Sequence, residues 1–422
     1  MKEKELNGLE LKVYEKVIYN LPVYVVPVNN VNSIYSTLSV KFGGDNEEFL
    51  DGKTNKKIKM CRGIAHYMEH QNFNEKDGSD VLSFYSERGS SCNASTRNNK
   101  TTYLFSGVNF FEDNLNKLLD FVFNPYFTDD SVKKELGIIE EEIKMYDDDP
   151  YVRMSYQMYE NLLNTHPMKT PLIGTSETIS KITKEDLYTC YDYFYRPDNM
   201  FLVVTGNVDP QNVFKIVDQN MKKKKFKNKK AVKLSIIEKD EVAKKEQVFK
   251  FDFSVPKVII AYKININNLK NIKRHEVILY LNFLFESKLG VTSKFLEELK
   301  NSNLIIDNFY LNSIDIDTHI LIIVQAESFS PKELIKKVKD NLKNLDITLE
   351  ELERRKKVLL SYQILASENI YQINNKIVNN LINYNCILYD SLNDIKNLNY
   401  KQFKYVINNI DLNNNTVLYT KK

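Results

Sequence analysis

The sequence predicts two similar halves, each mixing strands with helices, and three observations carry that expectation. The chain has 422 residues, enough for two or three domains at ~150 residues each. Its 42% hydrophobic and 27% charged content is ordinary for a globular protein and supports a sizeable core. The third observation is order: a strand-rich opening, then helices, then a closing strand, occurring on both sides of the lysine-rich break "KKKKFKNKK" at 222–230.

Residues 11–45 read as strands, because "LPVYVVPV" and "YSTLSVKFGG" are rich in β-branched and aromatic residues and bounded by Asn or Gly. A loop with "DGKTNKKIK" follows. "GIAHYMEHQNF", 63–73, reads as a helix entered after Gly63, and "DVLSFYSERG" as a second short helix ending at Gly89. "SSCNASTRNNKTTYLFSGV" reads as two strands around a turn at Asn98-Asn99. From Asn114 to Asn164 the pattern is helical, broken near Asp149-Pro150, and "NMFLVVTGNV", 199–208, reads as a buried strand. After the lysine run, "EQVFKFDFSVPKVIIAYKI" is strand-like and "RHEVILYLNFLFES" helical. The expected division is 1–225, a linker at 226–240, and 241–422.

Charge and composition exclude several classes. The net charge, 59 − 56 = +3, gives no global field for nucleic acid or an anionic membrane. The lysine run reads as a solvated helix end entering a linker, since no aromatic platform follows it. Cys61, Cys92, Cys190 and Cys386 are far apart and form no C-x-x-C pair, so neither a disulfide framework nor a zinc ribbon is expected. There is no glycine-rich phosphate loop, no apolar signal region at the N-terminus, and no run of ~18 apolar residues. The expected location is the cytoplasm, where the "NAS" at 93–95 would be idle as a glycosylation sequon.

Chemistry concentrates at His66, Glu69 and His70. The chain has only five histidines, and two stand one helical turn apart. At about 100° per residue they lie about 40° apart on one face, with Glu69 about 60° to the other side of His66. Two imidazoles at i and i+4 can each give a nitrogen to one tetrahedral zinc, and the intervening glutamate can reach a water at that metal. The pattern is H-x-x-E-H, the inverted form of H-E-x-x-H.

A catalytic zinc usually takes three protein ligands. In "KKELGIIEEEIKMYDDDP", 133–150, a helical wheel puts Glu135 and Glu142 side by side inside an apolar arc made by Leu136, Ile138, Ile139, Ile143, Met145 and Tyr146, with Glu140 and Glu141 outside it. A buried carboxylate needs a proton, a partner or a metal. Zinc would serve Glu142, and Glu135 would suit accepting the free ring N–H of a ligand histidine.

These motifs resemble the pitrilysin/insulinase family, which includes the mitochondrial processing peptidase, and within it the short bacterial YmfH-type zinc proteases. The resemblance runs from "GIAHYMEH" through "NASTRNNKTTYLFSG", "NPYFT", "LIGTSETISKITKEDL" and "YRPDNMFLVVTGNVDP", over most of 20–210, and thins over 240–420. It implies an α+β fold of two homologous domains, each a mostly antiparallel β-sheet flanked by helices. The first domain would be the zinc-binding peptidase domain and the second would lack a metal site. It implies one zinc per chain on His66, His70 and Glu142, with Glu69 as general base and Glu135 as the second acid of the ligand helix. It also implies that a peptide substrate adds to the edge strand at Asn93 and Ala94.

One departure stands out. Active relatives carry an Arg and a Tyr in the second half that hold the substrate carbonyl. Read without gaps through "GVTSKFLEELKNSNLIIDNFY", those positions hold Lys300 and Ile306, with Tyr310 nearby. The expectation is therefore a zinc endopeptidase subunit acting on unfolded peptides, whose site is completed by a homologous partner bearing the Arg/Tyr pair. That makes a heterodimer, with a homodimer as the other arrangement. The rival is a non-catalytic peptide-binding or assembly subunit, although this chain keeps all four residues of the zinc constellation.

Overall fold

Two sheets of the same design organise the chain, seen in a computed structural model that describes residues 1–251 and 253–421. The strand-like stretch read at 246–264 thus includes one position, Asp252, outside the described residues. The first sheet contains β1 (Lys2–Leu6), β2 (Leu11–Ile18), β3 (Leu21–Pro27), β4 (Ile34–Val40), β7 (Ser91–Thr96), β8 (Thr101–Gly107) and β9 (Met200–Gly206). Its order is β1-β2-β3-β9-β4-β8-β7, so β7 is an edge. β5 (Glu48–Asp51) and β6 (Lys57–Lys59) form a small sheet with β10 (Ala231–Lys233). The second large sheet contains β11 (Glu246–Phe249), β12 (Lys257–Asn265), β13 (Tyr310–Asp315), β14 (His319–Glu327) and β15 (Asn415–Thr420), in the order β11-β15-β12-β14-β13.

The duplication is visible strand by strand. In the first sheet β3 runs parallel to β9, and β9-β4, β4-β8 and β8-β7 are antiparallel. In the second, β11 runs parallel to β15, and β15-β12, β12-β14 and β14-β13 are antiparallel. In both, the first strand of the antiparallel four is central and the second is the edge. This is the α+β architecture of two homologous domains expected above.

By contacts the chain divides into two units that interleave along the sequence. One comprises Met1–Met145, Pro171–Leu234 and Tyr362–Leu392; the other Tyr146–Thr170, Ser235–Ser361 and Asn393–Lys422. In the first unit β4 and β9 are buried along their whole length, which explains their continuous apolar runs. The helix Ile370–Tyr384 covers them with Ile373, Ile377, Val378 and Leu381. Its buried Asn374 accepts from Thr37 Oγ1 at 2.7 Å and donates to the Val203 carbonyl at 3.1 Å. In the second unit the helix Pro150–Leu162 packs Met154, Met158 and Leu162 against Ile259, Ala261, Leu321 and Leu418.

Local differences from the sequence reading have plain causes. The stretch read as helical from Asn114 is three helices, Phe111–Phe123, Asp129–Asp148 and Pro150–Leu162. The additional break falls at Asn124-Pro125, where proline disfavours the helical conformation of the preceding residue. The loop with "DGKTNKKIK" is the β5–β6 hairpin, held by Asp51 accepting from the Lys53 and Thr54 amides. The lysine run lies beyond the helix Pro210–Met221, and three of its lysines are paired: Lys224 with Asp120, and Lys227 and Lys229 with Asp192. No helix among the described residues is long and apolar enough to cross a membrane.

Candidate metal centre

The histidine helix, Ile64–Gln71, is short but anchored on every side. Ile64, Ala65, Tyr67, Met68 and Gln71 are buried beneath it, leaving His66, Glu69 and His70 half-buried. Its entry is fixed by Gly63, whose φ of +95° favours glycine. A Cβ there would stand 2.5 Å from the Ile173 carbonyl. Just before it, Arg62 donates to the Gly44 and Pro171 carbonyls and to Glu47. Burial pushes the Glu47 carboxyl up to about 7, against the opposing charge of Arg62.

The glutamate helix, Asp129–Asp148, is laid across the histidine helix by polar ties at its start. Tyr67 donates its hydroxyl to the Val132 carbonyl, Gln71 donates to the Ser131 carbonyl at 3.0 Å, and Ser131 returns a bond to Gln71 Oε1 at 2.9 Å. These ties set the register that brings Glu135 and Glu142 to the histidines.

The result is a three-donor cluster. Glu142 Oε2 lies 3.7 Å from His66 Nε2 and 3.6 Å from His70 Nε2. Two ligand atoms bound tetrahedrally at 2.0–2.1 Å are about 3.3–3.4 Å apart, so the donor set fits a zinc ion with little adjustment. Glu135 Oε1 sits 2.8 Å from His70 Nδ1, fixing the proton on that nitrogen and leaving Nε2 as the donor. Burial, with the charge of His70 beside it, pushes the His66 imidazole down to about 3, so its lone pair is available at neutral pH. For His70 burial acts downward too, but the hydrogen bond and charge of Glu135, with Glu69 and Glu142, outweigh it and hold the ring above the usual imidazole range. Burial raises the Glu69 carboxyl, partly offset by hydrogen bonds from Thr96.

A second cluster, His275, Glu276 and Asp394, also meets the distance condition for a metal. There, however, the Lys273 ammonium sits 2.9 Å from Asp394 and 3.5 Å from Glu276. One ammonium thus already serves both carboxylates, and the cluster reads as an ion-pair network.

Residues 56–176 match the family model described as insulinase (peptidase family M16), and 181–359 match the one described as the peptidase M16 inactive domain. The uncharacterised zinc protease YmfH of Bacillus subtilis (strain 168) is 38% identical over 303 residues, 71% of this chain and 70% of that protein. The chain belongs to the insulinase (M16) family. An uncharacterised zinc protease of Rickettsia felis is 28% identical over 49% of this chain and 46% of its own length. Among solved structures, a protein of Alicyclobacillus acidocaldarius described as M16-like superposes with a TM-score of 0.91 at 24% identity, over 98% of this chain and 99% of that one. Pitrilysin gives 0.77 at 16% identity, over 99% of this chain but 46% of pitrilysin. These structural likenesses bear on fold alone.

The other residues singled out for the M16 site are placed as follows. Asn93 and Ala94 lie on the edge strand β7, and the Ala94 amide donates to Asn93 Oδ1 at 2.8 Å. In the second unit, Lys300 ends its reach on Asn308 Oδ1 at 2.8 Å. Ile306 is 46% exposed and Tyr310 65% exposed, and neither Lys300 nor Ile306 offers the donor fork of an arginine or the hydroxyl of a tyrosine. The residues that sequence reasoning missed are Tyr67, Gln71, Ser131 and Thr96. Thr96 had a readable signal: it lies two residues after Ala94, on the same face of a period-two strand.

Proposed function

We propose that this chain is the zinc-bearing half of a peptidase that cuts extended, unfolded peptides. The observation that carries the reading is the convergence of His66 Nε2 and His70 Nε2 on Glu142 Oε2, at 3.7 and 3.6 Å, with Glu69 beside them on the same helix. His66, His70 and Glu142 hold one zinc, and Glu135 orients His70. When bound, zinc supplies a Lewis acid for the scissile carbonyl and lowers the pKa of a water towards ~7. Glu69 takes the proton from the attacking water and later hands it to the leaving amine. Its raised carboxyl brings it nearer the working range of a base at neutral pH. The substrate lies along β7 as an added strand, its main chain bonded at Asn93 and Ala94, so that many sequences are accepted.

On this reading residues 1–225 carry the chemistry, 226–240 link, and 241–422 lack a metal site. A homologous partner completes the centre by supplying the Arg/Tyr pair that Lys300 and Ile306 replace. The 46% coverage of pitrilysin supports this, because the longer chain has room for two such pieces. The cytoplasm is the proposed site of action; the net charge of +3 gives no field towards a membrane.

The test is zinc content by mass spectrometry and cleavage of a quenched-fluorescence unfolded peptide, by the chain alone and with the partner. Expected are one zinc per chain and cleavage that Glu69→Gln abolishes without loss of zinc. A purified chain that takes up no zinc sinks the metal assignment. A second reading, a peptide-binding assembly subunit, is favoured by the lost Arg/Tyr pair, whose positions hold Lys300 and Ile306. Peptide binding without cleavage in every pairing, with zinc bound, would establish it.

A further inference from the structure

Beside the zinc centre is a contact that the reading above does not use. The Thr96 hydroxyl donates to Glu69 Oε2 at 2.5 Å. Its other neighbours are farther: the Ala65 carbonyl at 3.5 Å and Thr101 Oγ1 at 3.4 Å. Thr101 sends its own proton to the Phe42 carbonyl at 3.0 Å, so the nearest acceptor for the Thr96 proton is Glu69. Thr96 is the last residue of β7, and its side chain falls on the same face as Ala94 and Cys92, the half-buried face, while Ser91, Asn93 and Ser95 are exposed.

From these facts we propose that Thr96 is the positioning residue of Glu69, tying the strand that receives the peptide to the carboxylate that activates water. This rests on the assignment of Glu69 as the base. A glutamate carboxyl turns about a broad, two-fold terminal torsion, whereas a β-branched threonine has few χ1 choices. Bonding Oε2 to the stiff side chain, beside the hydrogen bond that Glu69 also takes from the Thr96 backbone, holds that torsion, and Oε1 is the oxygen that meets the water. The proton Glu69 receives goes to Oε1 and leaves from Oε1 to the amine. The Thr96 proton stays on Oγ1 throughout, so nothing is consumed. Because Thr96 closes β7, a peptide that adds to the strand stiffens the residue that holds the base.

Two substitutions separate this from packing. Thr96→Val keeps shape and removes the hydroxyl; Thr96→Ser keeps the hydroxyl and removes the methyl. With chain and partner together on the fluorogenic peptide, Thr96→Val lowers kcat by ~10–100-fold, the range expected when a base is displaced by about 1 Å. KM and the zinc dissociation constant, measured by chelator competition, stay within about twofold. Thr96→Ser returns kcat to within about threefold of the parent. A crystal structure of Thr96→Val reads the same claim without turnover: the Glu69 carboxylate is rotated from its parent position. An unmoved carboxylate, an unchanged kcat, a Ser variant as slow as Val, or zinc affinity falling in step with kcat each overturns the proposal. A parent that cleaves nothing while the carboxylate still rotates in Thr96→Val would instead refute the peptidase reading and leave the positioning contact standing.

Discussion

Glu135→Gln probes the quietest member of the centre, and its effect can be worked from one distance. Glu135 Oε1 stands 2.8 Å from His70 Nδ1, a hydrogen bond with an ionised acceptor. Such bonds contribute about 1.5–3 kcal/mol, and neutral ones about 0.5–1.5 kcal/mol. Glutamine keeps an acceptor oxygen in the same place, so the tautomer with Nε2 free survives, and the loss is the difference, about 1–1.5 kcal/mol. At about 1.4 kcal/mol per tenfold, zinc binding weakens by roughly 10-fold. Glu135→Ala removes the whole bond and weakens it by about 10–100-fold, the range typical for a residue that orients a metal-bound histidine. The assay is competition for zinc against a chromophoric chelator at fixed pH, with circular dichroism to confirm folding. Glu141→Gln is the control, since Glu141 lies on the same helix but is exposed and paired with Lys144 at 2.6 Å. A Glu135→Gln chain that binds zinc within twofold of the parent, or a control that weakens equally, would refute the reasoning.

Three further outcomes are expected. Gly63→Ala puts a Cβ 2.5 Å from the Ile173 carbonyl and 2.9 Å from Ile179 Cγ2 in a left-handed conformation. It should cost about 2–4 kcal/mol, read as a lower denaturant midpoint, with zinc affinity falling because the histidine helix starts there. Glu238→Gln should cost about 3–5 kcal/mol at neutral pH, since it leaves the buried Lys263 ammonium, 2.9 Å away, without its counter-charge. Burial pushes the Glu238 carboxyl up, but the amides of Asn164, Thr165 and His166 and the Lys263 ammonium outweigh it and hold it at about 2. That is below the unfolded value of about 4.3, so the stabilisation is present above pH ~4.3 and is lost as pH falls towards 2. Acid titration of unfolding should show this loss in the parent and a flatter profile in the Gln variant. Asp315→Ala removes a partly exposed ion pair with Arg274 and should cost no more than about 1 kcal/mol, leaving peptide cleavage unchanged in a kcat/KM measurement.

How much of this was legible in the sequence differs by element. The strands at 21–27, 34–40 and 200–206 were readable because apolar and β-branched runs with Gly or Asn at their ends have one plausible conformation. The β5–β6 hairpin was not, because its strands are three and four residues long and held by a turn and by the pairing of Lys57 with Glu48, neither of which makes a period. At the centre, His66, Glu69 and His70 were readable because their relation is local, within one and a half turns. Glu135 and Glu142 were readable as acids near Ile139 and Ile143, although Ile138 and Met145 of the expected apolar arc are exposed, at 48% and 57%; their meeting with the histidines depends on Tyr67, Gln71 and Ser131, about 60 residues apart in sequence. Contacts of that range leave no periodic trace.

The duplicated sheets place a comparable contact in both halves, made by different residue types. β7 and β13 occupy the same edge, each six residues long, and each pairs antiparallel with the strand that follows it. The last residue of each reaches the first helix after the central strand: Thr96 reaches Glu69, and Asp315 reaches Arg274. The fold therefore supplies a contact from strand end to helix in both halves, and the residue types decide its use. A hydroxyl facing a carboxylate donates one hydrogen bond and leaves the carboxylate its charge and a free oxygen. A carboxylate facing a guanidinium is charge-matched and fork-bonded, with nothing left to take a proton from water. The helix behind the second contact, Arg274–Leu289, buries Val277, Tyr280, Leu281, Phe283, Leu284 and Phe285 in the core. At this contact the halves thus differ in a few side chains on a shared scaffold, and 181–359 is the stretch that matches the inactive-domain model.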